Sequence, residues 1–221
     1  MTLIFRIASL TSLLLLLAAT AFSAKADIQI LDDFNAGLNP NWKTKKFNGQ
    51  TLYRVVAQEG EKVLMAQSEA TASALILEKH YDLRDYPILS WRWKITSIHP
   101  GGDGRTKAGD DYAARIYVVF PHWFTPMTRS INYIWANKLP KGKHIPSPYT
   151  GNSIMVAAQS GPDKIGQWVT EQHNVWEDYR RIFGEDPPPV GAIAIMTDSD
   201  DTGGSALAWY DDIRIKKERQ D

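Results

Sequence analysis

Three groups of aspartates and one arginine are the side chains of this sequence best placed to do chemistry. The first group is Asp110-Asp111, which leads into the run Tyr112–Phe120, where Arg115 is the only charged residue. Alternation along an extended segment puts Asp111, Arg115 and Tyr117 on one face. A lone guanidinium in such a run calls for a carboxylate or phosphate partner. Arg115 therefore either closes an ion pair with Asp111 or a cross-strand acid, or lines a cleft and takes an anionic group such as a uronate or a phosphate. The second group is Asp198-Ser199-Asp200-Asp201-Thr202-Gly203-Gly204, which follows an apolar strand. Asp198, Asp200 and Gly203 match the opening of an EF-hand loop. Trp209 stands where the bidentate glutamate belongs and no helices flank the loop, so that motif is rejected. What remains is an acidic ligand-binding loop, a looser metal site, or a solvated hairpin turn of the kind Asp and Gly favour. Gathered around one concavity, Asp110, Asp111 and Asp198 could also support acid–base chemistry on a glycan.

The third group lies on the first and last strands. In Leu207–Lys216 the residues Leu207, Trp209, Ile213 and Ile215 share parity with Asp211; in Ile28–Phe34 the residues Ile28, Ile30 and Phe34 share it with Asp32. A carboxylate facing a core needs a cation or several hydrogen bonds. Each has an acidic neighbour, Asp33 and Asp212. Terminal strands of a sandwich often lie side by side, so Asp32, Asp33, Asp211 and Asp212 could form one all-oxygen site suited to a structural Ca2+. The competing reading is pairing with Arg or Lys, or a wet rim position.

Aromatic residues supply a different chemistry. The chain holds eight tryptophans and nine tyrosines. Most suit the half-buried surface of a β-rich core, and a few suit a platform on which sugar faces stack. Trp123, in the loop between Pro121 and Pro126, and Trp135, which ends a strand beside the basic segment 138–144, are the platform candidates. The five histidines are scattered with no His-x-x-x-His pair, there is no Gly-x-Ser-x-Gly, and Gly101-Gly102-Asp103-Gly104 opens no helix. Histidine-pair zinc sites, the esterase elbow and nucleotide loops therefore find no motif.

The elements that must position these groups read mainly as strands. In Ile88–Thr96, Leu89, Trp91, Trp93 and Ile95 alternate with Ser90, Arg92, Lys94 and Thr96, a clean period of two. Tyr112–Phe120 is apolar on both faces apart from Arg115, which predicts a central strand. Ser130–Ala136 puts Ile131, Tyr133 and Trp135 together. Shorter strands are expected at 28–34, 52–57, 62–67, 74–79, 153–159, 167–172, 192–197 and 207–216, separated by Gly- and Pro-bearing turns. One helix is expected near 175–184, capped by Asn174, with Glu177 three residues on and Gly184 as its stop. About ten strands and one helix imply an all-β fold, a two-sheet antiparallel β-sandwich of jelly-roll type.

Composition sets the compartment and excludes some partners. Arg6 precedes an apolar run with five consecutive leucines, Leu13 to Leu17, and Ala24-Lys25-Ala26 supplies a small-x-small cleavage site. Residues 1–26 thus read as a secretory signal peptide, leaving 27–221 as a single domain in the periplasm or secreted. Beyond that segment acids outnumber bases by two, which argues against nucleic-acid binding. No second apolar run approaches the length of a membrane span. The chain has no cysteine, so disulfides, thiol catalysis and cysteine-linked lipid have no substrate.

The segments Leu89-Ser90-Trp91-Arg92-Trp93, Gly109 to Tyr117, Asp178-Tyr179-Arg180 and Ile195 to Asp200 together resemble a bacterial exported family catalogued as domain of unknown function 3047. More distantly, Asp32-Asp33-Phe34 on the first strand and Trp209-Tyr210-Asp211-Asp212-Ile213 on the last are similar to jelly-roll carbohydrate-binding modules. That likeness implies a sandwich fold, a structural calcium between those strands and a glycan ligand. The expectation is an exported ligand-binding protein, with a glycan as the ligand and Asp110, Asp111, Arg115, Trp123, Trp135, Asp198 and Asp200 as its contacts. An envelope hydrolase or lyase using the same acids, and an assembly protein with a protein partner, are the alternatives.

Overall fold

A computed structural model describes residues 27–218; the leader read in residues 1–26 lies outside them. In chain order the strands are β1 (Ile28–Asp32), β2 (Trp42–Asn48), β3 (Leu52–Gln58), β4 (Glu61–Glu69), β5 (Ala72–Tyr81), β6 (Ile88–Ile95), β7 (Arg115–Phe120), β8 (Arg129–Ala136), β9 (His144–Ser147), β10 (Thr150–Ser160) and β11 (Val169–Asn174). The helix α1 (Val175–Phe183) follows, then β12 (Val190–Asp198) and β13 (Ser205–Lys216). One sheet runs β11-β6-β13-β4-β3, with β1 beside the C-terminal half of β13. The other runs β2-β5-β12-β7-β8-β10-β9. The expected two-sheet sandwich is the fold. One pair departs from the antiparallel expectation: β8 and β10 are parallel, because the β9–β10 hairpin brings the chain back in the direction of β8.

The strands with strict alternation supply the space between the sheets. Leu89, Trp91, Trp93 and Ile95 on β6 face Ile131, Tyr133 and Trp135 on β8, and all are fully buried. Trp93 touches Trp91 edge-on at 5.2 Å between ring centroids and Trp135 at 5.8 Å. Each such ring removes roughly 150–250 Å² from water, which makes this row a main source of cohesion between the sheets. Trp135 is therefore a core residue and not a ligand platform. The signals that place it, alternation with Ile131 and Tyr133, were already present on β8.

The helix forms as its caps require. Asn174 Oδ1 accepts the Glu177 backbone N–H at 3.1 Å, and Gly184 ends the helix at φ 75°. Val175 and Tyr179 are buried beneath it.

Two parities differ from the sequence expectation, and both have a backbone cause. On β13 the register shifts between Asp211 and Arg214, where Asp212 sits at φ 55°. This bulge turns Ala206, Ala208 and Tyr210 inward before it and Ile213 and Ile215 after it. Asp211 thus lies on the outer face, where Arg92 forks onto it. On β1 a shift between Ile30 and Asp32 leaves Ile28 and Ile30 about half exposed and buries Leu31. Two strands escaped the sequence pattern, β2 and β9. Only Trp42 of β2 is buried, so its sequence carries no apolar period.

Candidate functional site

The outward faces of β5, β12 and β7 form the floor of a cleft of about 650 Å³. Ala72, Ala74 and Ile76 come from β5, Ala192, Ala194 and Met196 from β12, and Tyr117 and Val119 from β7. The alanines of the two adjacent strands β5 and β12 keep the floor low there. Lys45 and Phe47 rise from β2 at one edge of the sheet; Ser147, Tyr149 and Thr150 rise from the β9–β10 hairpin at the other. Phe47 and Tyr149 are each more than half exposed.

Charge collects at one end. Arg115, Asp110, Asp198, Asp200 and Asp201 all line the cleft. Arg115 Nε donates to Asp198 Oδ1 at 2.9 Å, while Nη2 meets Asp198 Oδ2 and donates to the Asp110 carbonyl at 2.8 Å. The Arg115 side chain is 4% exposed and that of Asp198 2%. Asp198 Oδ1 also accepts the Tyr112 backbone N–H, and the guanidinium lies over the Tyr112 ring at 4.8 Å. Arg115 accordingly spends its Nε–Nη2 edge on protein groups, while Nη1 faces Asp110. The internal pair expected for Arg115 is present, with Asp198 as the partner.

Asp110 sits beside this pair, its Oδ2 3.7 Å from Arg115 Nη1. Burial pushes its carboxyl up to about 6 against the pull of Arg115, and Asp201 and Asp111 add to the rise. Asp111 is fully buried and does not line the cleft. Its Oδ2 accepts the Thr202 backbone N–H and hydroxyl, both at 2.6 Å, which fixes the 199–204 turn. That turn presents Asp200 and Asp201, held from opposite walls: Asn48 Nδ2 donates to Asp200 Oδ2 at 3.2 Å, and Tyr149 Oη donates to Asp201 at 3.0 Å.

The structure thus brings together Asp110, Arg115, Asp198 and Asp200 of the expected site and puts Asp111 directly behind them. It does not bring in Trp123, which stands 91% exposed on the β7–β8 turn, past the end of β7 opposite Arg115. Sequence reading missed Phe47, Tyr149 and Lys45; it put Tyr117 on the Arg115 face without counting it among the contacts. An aromatic inside the otherwise polar segment 43–48 was the one available hint for Phe47.

The acids of the terminal strands are engaged separately. Asp32 accepts the Phe34 backbone N–H at 2.8 Å and Trp42 Nε1 at 2.7 Å, and Asp33 accepts the Asn35 N–H. Asp211 pairs with Arg92 and Asp212 with Arg214. β1 and β13 are neighbours as expected. Among the described residues the group of three acids whose oxygens lie within 4.8 Å of one another is Asp111, Asp200 and Asp201, at the end of the cleft.

A family model described as a protein of unknown function, DUF3047, matches residues 40–214. The chain belongs to this family. No curated protein matches it in sequence. Among solved structures it is similar to the family 11 carbohydrate-binding module of a cellulosomal cellulase of Clostridium thermocellum. That match has a TM-score of 0.51 at 11% identity and covers 90% of this chain and 99% of that one. The family 30 module of another cellulosomal cellulase of the same organism gives a TM-score of 0.47 at 12% identity, over 81% and 93% of the two chains. The DUF3047 chain thus has the β-sandwich fold of a carbohydrate-binding module.

Proposed function

We propose that this DUF3047 protein is an exported binding protein that captures a glycan along the cleft of its seven-stranded sheet. The observation that carries the reading is the cleft itself: an alanine floor across adjacent strands, with exposed rings rising at Phe47 and Tyr149 from opposite edges. A flat floor lets a chain of sugar rings lie across the strands. Aromatic faces stack on the apolar faces of sugars, and nearby polar groups fix orientation. The volume falls within the range of about 300–1,000 Å³ typical of small-ligand sites. The acid-rich end accepts hydroxyl and amino donors and disfavours an anionic ligand, since its arginine is already neutralised. Neutral or amino-bearing sugars are therefore the class. Binding is favoured over hydrolysis because Asp198 is forked to Arg115 and Asp111 is taken up by the Thr202 turn. Residues 1–26 support a periplasmic or secreted location.

Affinity electrophoresis through gels carrying soluble neutral glucans, xylans, mannans and amino-sugar polymers tests this. Retardation by at least one polymer, reduced in Phe47→Ala and Tyr149→Ala and unchanged in Trp123→Ala, is the expected result. Free migration of the wild-type protein through every gel would overturn it.

A further inference from the structure

The acidic end of the cleft has more carboxylate than the protein neutralises. Asp111, Asp200 and Asp201 each offer an oxygen, and these three oxygens lie within 4.8 Å of one another. Among the described residues no lysine or arginine forms an ion pair with any of the three. The one buried cation at this end, Arg115, is committed to Asp198, with Asp110 alongside. Tyr149, Asn48 and backbone N–H groups supply donors, but none of these carries charge.

A second observation points the same way. Asp110 lines the cleft end together with Asp200 and Asp201, is only 6% exposed, and its Oδ1 has no hydrogen-bond partner. A buried carboxylate oxygen without a donor is costly, and proteins rarely leave one unless something else satisfies it. Here the charges of Asp201 and Asp111 face it as well. A cation held among the three would offset the unbalanced charge that both observations share. The donor set is all oxygen and comes largely from adaptable turns, which suits Ca2+, with its six to eight ligands and flexible geometry, better than the stricter octahedron of Mg2+.

We propose that Asp111, Asp200 and Asp201 form a divalent-cation site of calcium type at the end of the cleft, with Asp110 as the buried carboxylate beside it. Its position is distinct from the terminal-strand acids Asp32, Asp33, Asp211 and Asp212. Because Asp110, Asp200 and Asp201 line the cleft, an ion held there borders the ligand. Resting on the glycan reading, the site then adds metal coordination to sugar hydroxyls at this end.

Terbium luminescence on the purified, EDTA-stripped protein tests the site directly, because Tyr149 contacts Asp201 and serves as the sensitising ring. The expected result is a saturable terbium signal displaced by Ca2+ and a Ca2+-dependent rise in melting temperature. Both should weaken about tenfold or more in Asp200→Asn/Asp201→Asn, where two of the three site carboxylates are gone. Asp110→Asn, which keeps the shape, should weaken both as well. Far-UV circular dichroism checks that the variants fold. Absence of saturable signal with either Tb3+ or Ca2+ up to millimolar concentration overturns the site. So does binding that survives Asp200→Asn/Asp201→Asn but is lost in Asp32→Asn. Repeating the glycan gels with EDTA and with Ca2+ separates the two readings. Ion binding with no retardation in either gel removes the glycan reading and leaves the metal site standing. Retardation without any ion binding does the reverse.

Discussion

Arg115 and Asp198 meet as a two-pronged ion pair across the boundary between β7 and β12, with both side chains almost wholly buried. The pair joins two central strands at the head of the cleft, and it also anchors the Asp110 carbonyl. Breaking a buried pair by removing one partner strands the other charge, which costs about 3–5 kcal/mol, whereas replacing both by apolar groups of similar volume is often neutral. Asp198→Asn should therefore lower the unfolding free energy by about 3–5 kcal/mol in urea titrations. Arg115→Met/Asp198→Leu should recover much of that loss. Wild-type stability in Asp198→Asn would show that the pair carries no such weight.

Trp123 and Trp135 were equivalent platform candidates by residue type, and the fold separates them completely. Trp135 is fully buried against Trp93, with its Nε1 donating to the Gly161 carbonyl. Truncating a buried Trp to Ala costs about 3–5 kcal/mol, so Trp135→Ala should melt well below wild type. Trp123→Ala removes a ring that is 91% exposed and should leave the melting curve unchanged. Differential scanning calorimetry on the two variants decides the matter; equal losses would contradict the burial.

How much of this was legible follows from which residues carry a period. Leu89, Trp91, Trp93 and Ile95 alternate without interruption, so β6 and its inward face were readable directly. Arg115 was readable as an oddity: a charge in an apolar run demands a partner, and the partner was among the acids already singled out. β2 was not readable, because an edge strand with all but one side chain exposed has no buried face to impose a period of two, and β9, at four residues, is too short to show one. The parity of β13 was misread for a different reason. Its bulge at Asp212 shifts the pattern by one residue, and only a backbone at φ 55° reveals where. Phe47 was lost with the strand that bears it, and Tyr149 with the β9–β10 hairpin whose turn it occupies.

Asp178 links α1 to the core and should set part of the acid limit of stability. Burial alone would raise its carboxyl, but hydrogen bonds with His173, Arg181 and Tyr133 outweigh burial and hold it below its ordinary value. A depressed carboxylate contributes stability that is fully present above the unfolded-state value of about 3.9 and is lost as pH falls through the lower folded value. Asp178→Asn should therefore show a shallower loss of melting temperature than wild type as pH drops below about 4, with the difference between the two shrinking in that range. A constant gap between the two curves at every pH would refute the linkage.

Gly109 holds the 103–109 loop closed at the base of Asp110. Its carbonyl accepts the Asp103 backbone N–H at 2.8 Å, and its own N–H donates to the Thr106 carbonyl. A Cβ at Gly109 would lie 2.5 Å from Asp103 N and 2.8 Å from Asp103 O. Both are backbone atoms, so the loop itself must open to make room. Overpacking of this kind costs about 1–3 kcal/mol. Gly109→Ala should lower stability by that amount. Asp110 should also shift out of register with Arg115, weakening both terbium binding and glycan retardation. Gly101 lies in the same connection, but a Cβ there would meet nothing within 4 Å, so Gly101→Ala should be silent in all three measurements. If the two alanine variants behave alike, the close approach at Gly109 is not what orders the acidic end of the cleft.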